Sequence, residues 1–379
     1  MRGKLLVAAV LLAAVVGRAG AQEFVPPFAD ARDYLASTGP DAAQAPLADK
    51  IDMVQAPADL GKGEPCGDFD CCFKACQFPC IYFQADALYW DRIGTGCDEV
   101  LVIDANTTEP LFSTGDLDFD GAPGARFLIG WQPHHCSHCC AWELSYWGLY
   151  NWNADGAVAG AGGTLTIPGD LGAATNNFSG ADEILLDYRS ELHNVELNCI
   201  RSCCLDCAKL DFIAGFRYLA LNDQLSLIAT DLQEGTSSYD IDTHNDLYGV
   251  QLGGRLTRPL PYCCRWGLEL TGKAGIFYND ISTDQFVGDF PGTTAPFVIR
   301  DVAGSRDGVA MLGEINLVLI RRLNECWNLR LGYTALGLGG VALAPDQLDF
   351  TDTLDSGTDV HHTGWIFAHG ALAGLERRW

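Results

Sequence analysis

The chain has 379 residues, a formal net charge of −25 and 48% hydrophobic residues. That length suits one large domain or two ordinary ones. The charge argues against nucleic acid as a partner, since phosphate contacts draw on Lys and Arg, and the apolar content argues against a wholly disordered chain.

Residues 1–21 read as a secretory signal. Arg2 and Lys4 form a basic start, residues 5–16 are an unbroken apolar run, and Ala19-Gly20-Ala21 is a small-residue cleavage site before Gln22. The run is too short for a good spanning helix, and nothing downstream supplies about 18 consecutive apolar residues. An exported chain of this kind is soluble, or it spans a membrane as a closed barrel that satisfies every backbone group in lipid. Sixteen cysteines in such a chain make disulfides the default expectation. Residues 22–65, rich in Ala, Pro and Asp without a sustained period, read as a flexible periplasmic leader. Residues 66–80 hold Cys66, Cys71, Cys72, Cys76 and Cys80, and the last three recur every fourth residue, as along one helical face.

From residue 81 the pattern changes to period two. The first strand, residues 81–92, sets Phe83, Ala85, Ala87 and Tyr89 against Gln84 and Asp86. Residues 125–132 set Phe127, Ile129 and Trp131 against Arg126, and residues 141–152 set Trp142, Leu144, Tyr146 and Tyr150 against Glu143 and Ser145. The fourth strand, residues 187–199, carries Glu196 but alternates poorly between Ser190 and Asn194, where a bulge would restore the pattern. In residues 210–220, Leu210, Phe212, Ala214, Phe216, Tyr218 and Ala220 share one face, with Asp211, Gly215 and Arg217 on the other. The sixth strand, residues 246–258, turns Gln251 and Arg255 away from Tyr248, Val250, Leu252 and Leu256. The seventh, residues 266–278, does the same with Glu269 and Lys273, and the eighth, residues 309–320, with Glu314 and Asn316. Residues 327–336 oppose Asn328 and Arg330 to Leu329, Leu331 and Tyr333. The last strand, residues 362–379, opposes Glu376 and Arg378 to Ala371, Ala373, Leu375 and Trp379.

The connections alternate short and long. Cys136, Cys139, Cys140, then Cys199, Cys203, Cys204, Cys207, then Cys263, Cys264, and Cys326 fall in or beside the short ones, while the long ones are polar. An apolar face opposite a charged one is what a strand needs between lipid and a polar lumen. The expectation is therefore an all-β, antiparallel, up-and-down transmembrane barrel over residues 81–379. It would have about ten strands, within a range of eight to twelve, each long enough to cross at about 9–11 residues. An even count puts both ends on one side, so the cysteine turns join the leader in the periplasm and the long loops lie outside. The lumen-lining candidates are Asp86, Arg126, Glu143, Glu196, Asp211, Arg217, Arg255, Glu269, Lys273, Glu314, Arg330, Glu376 and Arg378.

Several stretches also resemble a known family: Phe83-Gln-Ala-Asp-Ala-Leu-Tyr-Trp90, His193-Asn-Val-Glu196, Phe212-Ile-Ala-Gly-Phe-Arg-Tyr218, Gly340-Val-Ala-Leu-Ala-Pro-Asp-Gln347 and the ending His369-Gly-Ala-Leu-Ala-Gly-Leu-Glu-Arg-Arg-Trp379. Together they are similar to the planctomycete outer-membrane β-barrel family described as porin-like. The resemblance implies fold and outer-membrane location and brings no catalytic residues and no substrate. Outer-membrane barrels generally end in an aromatic residue read by the barrel-insertion machinery, and Trp379 matches that position.

Other chemistry competes with plainer readings. The turn from His134 to Cys140 offers three His and three Cys, which are zinc or copper ligand types, against a disulfide-stapled turn. Cys204-x-x-Cys207 has a redox spacing without a thioredoxin-like context. Asp116, Asp118 and Asp120 open like a calcium loop, but Phe127 stands where the bidentate Glu belongs. No nucleophile elbow or phosphate-cradling loop stands at a credible spacing, so no enzyme and no cofactor is expected. The functional expectation is a narrow passive pore for small solutes or ions, with a closed structural or surface-interaction barrel as the alternative. Near ten strands, side chains can nearly fill the lumen.

Overall fold

The computed structural model describes residues 80–379, except 95, 97, 133–140, 161, 173–174, 206–207, 233–234, 261–264 and 292–296. The expected signal, the leader and Cys66, Cys71, Cys72 and Cys76 lie outside the described residues, as do Cys136, Cys139, Cys140, Cys207, Cys263 and Cys264.

Among the described residues thirteen strands follow in chain order: β1 Cys80–Ile93, β2 Val100–Asp104, β3 Pro110–Ser113, β4 Ala122–Gln132, β5 Ala141–Ala159, β6 Leu165–Thr166, β7 Glu183–Leu205, β8 Ala208–Asp231, β9 Gly235–Pro259, β10 Trp266–Pro291, β11 Phe297–Arg322, β12 Trp327–Val341 and β13 Gly364–Arg378. Ten of them close a barrel in the order β1-β13-β12-β11-β10-β9-β8-β7-β5-β4, while β3, β2 and β6 form a small side sheet. All neighbouring barrel strands are antiparallel, and the closure pairs the first strand with the last.

The register fixes the width. From Asp86, the partners followed through β13, β12, β11 and β10 reach Pro259 on β9. Followed the other way, through β4, β5, β7 and β8, they reach Leu247, twelve residues along the same strand. A shear of that size over ten strands sets a strand tilt of about 40° and a backbone radius of about 10 Å. Such a cylinder is narrow enough for side chains to meet across it.

The outer face carries the apolar side of each strand. Phe83, Ile129, Leu144, Phe216, Val250, Leu270, Ile315 and Leu331 all stand exposed there. Aromatics gather at its two levels: Trp131, Trp142, Trp327 and Trp379 at the end carrying both chain ends of the barrel, and Tyr89, Tyr150, Tyr248, Tyr278 and Tyr333 at the other. Trp266 and Tyr278 lie twelve residues apart on β10, which spans about 30 Å along the axis at this tilt, close to an outer-membrane apolar band with its girdles.

Three features differ from the sequence reading. The strands run well past the membrane, to 26 residues in β10 and β11. Stretches expected as long loops, such as residues 221–231, 235–245 and 279–291, are strand, because polar residues on the outer face pair as well in water as apolar ones do in lipid. The bulge expected in β7 sits on its partner: β5 shifts register between Leu149 and Trp152, with Asn151 at φ 62°, while β7 alternates without a break. The pattern faltered around Leu192 because that side chain is apolar and faces inward, where a polar residue was expected. Finally, the segment before the last strand is more than a surface loop. At Gly340, φ is +84° and an added Cβ would stand 2.4 Å from the Val309 carbonyl oxygen, a conformation that suits glycine. The break in register there turns residues 342–348 inward over the lumen.

Candidate functional site

The lumen is built in tiers. The lowest is a charged belt, and the structure places all thirteen lumen-lining candidates on inward-facing positions. Seven acids meet six bases there. Arg255 lays both terminal nitrogens on Glu143, at 2.8 and 2.7 Å, across three steps of the sheet, and the Tyr82 hydroxyl donates to the same carboxylate. Lys273 reaches Glu196 at 2.8 Å, and Gln251 Nε2 donates to the same oxygen at 2.8 Å. Arg217, with a side chain 0% exposed, donates to Asn194 at 2.6 Å, Glu314 at 2.8 Å and Gln251 at 3.3 Å. Arg126 donates twice to Asp86, and Arg330 lies between Glu376, Glu269 and Asp86 at 3.4, 3.3 and 3.7 Å. Glu376 also accepts from Gln84, Asn328 and Arg378. Asp211 is held nearer the rim, by Ser202 and Lys209. These bonds span the lumen and leave the thirteen groups with a formal excess of one negative charge. The cavity left among Gln84, Arg126, Glu196, Lys273, Glu314 and Arg330 measures about 40 Å³, room for only a few waters.

Above the belt the lumen is packed with hydrocarbon, which the sequence reading did not foresee. Every barrel strand contributes an inward side chain no more than 4% exposed: Trp90, Ala122, Trp147, Leu192, Leu219, Leu247, Phe277, Leu312, Leu336 and Ile366. Trp90 and Trp147 meet with ring centroids 5.3 Å apart, and Trp152 Nε1 donates to the Trp90 carbonyl at 2.9 Å. A legible signal existed: Ala87-Leu-Tyr-Trp90 and Leu219-Ala-Leu221 are apolar on both faces, which alternation alone cannot assign.

A third tier lies over this layer. Arg92, on β1, forms paired bonds of 2.9 and 3.1 Å to Asp223 on β8, nearly across the barrel. Tyr188 and Ser190 donate to the same carboxylate, and Phe119 covers the guanidinium at 4.6 Å. The inward segment is fastened beside it. Asn245 exchanges two bonds of 2.8 Å with the Ala342 backbone, Gln285 donates to the Gln347 carbonyl at 2.8 Å, and Arg300 donates to the carbonyls of Asp349 and Thr351. In the side sheet, Asp104 accepts backbone N–H bonds from Thr107 and Asn106, at 2.9 and 2.7 Å, which hold its carboxyl below the usual aspartate range.

The remaining candidates do not converge. Asp116 accepts from the Ser113 backbone and hydroxyl at 2.8 and 3.2 Å, and among the described residues no three His, Cys, Asp or Glu side chains could hold a metal. Cys199, Cys203 and Cys326 stand near the end where β1 begins and β13 ends, and no disulfide joins described residues. Trp379 is half exposed there, and its N–H donates to the Ile81 carbonyl at 2.9 Å, sealing the closure.

A girdled ten-stranded cylinder with polar and apolar tiers inside is a transmembrane β-barrel of the outer-membrane class. Residues 90–358 match the model of the family described as Putative beta barrel porin-7 (BBP7), and the chain belongs to that family. No curated protein matches it. Among solved structures, it is similar to the outer membrane protease OmpT from Escherichia coli, at 10% identity over 79% of this chain and 95% of that one, with a TM-score of 0.39. It is also similar to a major outer membrane protein from Thermus thermophilus, at 11% identity over 79% and 99%, with a TM-score of 0.31. A third likeness is to a FadL homologue from Pseudomonas aeruginosa, at 8% identity over 79% and 90%, with a TM-score of 0.24.

Proposed function

We propose that this protein is a closed barrel of the outer membrane, working in envelope organisation or surface interaction without passing solutes. The observation that carries the reading is the apolar tier, to which all ten strands contribute buried side chains. An ion entering that tier would lose its hydration without gaining a polar partner, at a cost of several kcal/mol or more. The charged belt supports the same reading, because its acids and bases are spent on each other.

Export through residues 1–21, a periplasmic leader over 22–65 and disulfides among the cysteines at that rim belong to the proposal. So do assembly by barrel-insertion machinery reading Trp379, contact with outer-membrane lipid, and the absence of a catalytic role. The long strands then form a wall beyond the outer surface. The pore reading keeps the family's description in its favour, but it requires both residues 342–348 and the apolar tier to move aside.

Swelling of vesicles loaded with the folded protein separates the two. The proposal expects sugars and amino acids to enter no faster than in protein-free vesicles. Entry that is faster and graded by solute size would overturn it.

A further inference from the structure

The outer wall is electrically lopsided. At the far end its outward side chains include Asp242, Asp280 and Asp307, and the one outward cation there among the described strand residues, Arg189, is paired to Asp187 at 2.6 Å. At the end where β1 begins and β13 ends, the outward strand cations among the described residues are Arg201, Arg258, Arg321 and Arg377, all exposed. Three of these four lie on one arc, from β9 to β13.

On that arc the cations interleave with indoles. Arg321 is the cross-strand partner of Trp266, and Arg377 that of Trp327. The guanidinium of Arg321 lies 5.2 Å from the Trp266 ring, and that of Arg377 lies 5.4 Å from Trp327 and 4.7 Å from Trp379. Arg258 is opposite Leu268, one position round from Trp266 on the same face. None of the three reaches a carboxylate among the described residues: Glu325, in the turn between β11 and β12, pairs with none of them.

An arginine at the boundary of the acyl region keeps its stem in hydrocarbon and its head in the interface. A ring over one face of the guanidinium fixes its plane and leaves the N–H edge free. That edge matches a phosphate oxygen pair. Two such groups, with Arg258 beside them and no carboxylate partner among the described residues, favour a headgroup that brings net negative charge over one whose phosphate is already balanced by an ammonium. We propose that the β9–β13 arc selects anionic glycerophospholipids from the leaflet at the end where β1 begins and β13 ends, which the reading above makes the periplasmic leaflet. The selection rests on barrel insertion and not on whether the lumen is closed.

The test uses the full chain folded in phosphatidylcholine vesicles, with folding checked by heat-modifiable migration. Tryptophan quenching by brominated phosphatidylglycerol is compared with quenching by brominated phosphatidylcholine. A preference of about fivefold for the anionic lipid is expected, near the value of one basic contact at a charged membrane, and it should shrink as NaCl is raised from about 50 to about 500 mM. The triple variant Arg258→Gln, Arg321→Gln, Arg377→Gln should lose the preference, and Arg201→Gln, on the opposite arc, should keep it. Equal quenching by the two lipids in the unaltered protein would overturn the proposal, as would a preference that survives the triple variant or disappears with Arg201→Gln. Should the triple variant fail to fold, Arg321→Gln alone must lower the preference, and an unchanged value would count against the site. Vesicle swelling is read separately, so a failed lipid preference and a failed closed-barrel reading remain distinguishable.

Discussion

Arg217→Met probes whether the charged belt is a sealed, mutually satisfied network. Methionine keeps the aliphatic stem of the side chain and removes the guanidinium, which lies 5.7 Å from the Trp147 ring. It removes the bonds to Asn194 and Glu314 at 2.6 and 2.8 Å, and the 3.7 Å contact with Glu196. Glu196 and Glu314, 1% and 3% exposed, are then left to share Lys273, at 2.8 and 4.0 Å. One buried negative charge goes uncompensated, which costs about 3–5 kcal/mol. Adding Glu314→Leu removes that excess charge and leaves the Glu196–Lys273 pair intact. The double variant should then lose only about 1–2 kcal/mol, for the hydrogen bonds that Asn194 and Asn316 give up. Urea unfolding in detergent or vesicles, followed by tryptophan fluorescence, measures both, and an unchanged slope confirms that stability alone moved. A loss below about 1 kcal/mol in the single variant would refute the reasoning, since a carboxylate that tolerates losing its arginine is one that water already reaches. A double variant no more stable than the single one would refute it too.

Asp223 accepts from Arg92, Tyr188 and Ser190 in the upper tier, so Asp223→Ala should cost about 3–5 kcal/mol and lower the thermal midpoint, because it strands a buried guanidinium. Gly340→Val, at a positive φ and against the Val309 carbonyl, should release residues 342–348, with protease cleavage of the β12–β13 connection appearing while the barrel still migrates as folded; unchanged resistance would contradict the role given to the inward turn. The Asp104 carboxyl is held below its unfolded value, so its support of the turn at residues 104–109 is complete above that value, near pH ~4, and is lost as the pH falls through the lower, folded one. Hydrogen exchange at Asn106 and Thr107 should therefore rise selectively in acid, and equal rates at about pH 6 and about pH 2.5, once intrinsic rates are removed, would deny it.

The barrel was legible because lipid enforces a strict rule on one face: Phe212, Phe216 and Val250 had nowhere else to point. The charged lumen positions followed from the same alternation. The opposite face obeys a looser rule, since a narrow lumen accepts ion pairs at one height and hydrocarbon at another. Leu192 therefore breaks the alternation and reads as part of a bulge, while Trp90 is assigned to neither face. The height of the strands was also hidden, because above the membrane the outer face is polar and residues such as Asp242 and Thr236 read as loop while they sit in β9. The inward segment left a trace in Gly340-Val-Ala-Leu-Ala-Pro-Asp-Gln347, an apolar run outside any expected strand, but its destination depends on partners such as Asn245 and Gln285, far away in sequence.

Single-channel recording in planar bilayers tests the sealed lumen most directly. Folded protein, verified by heat-modifiable migration, should give no conductance steps, whereas a variant thinned in the apolar tier by Leu219→Ala, Phe277→Ala and Leu312→Ala should leak wherever it still folds. Reproducible steps from the unaltered protein, present in every folded preparation, would contradict the account.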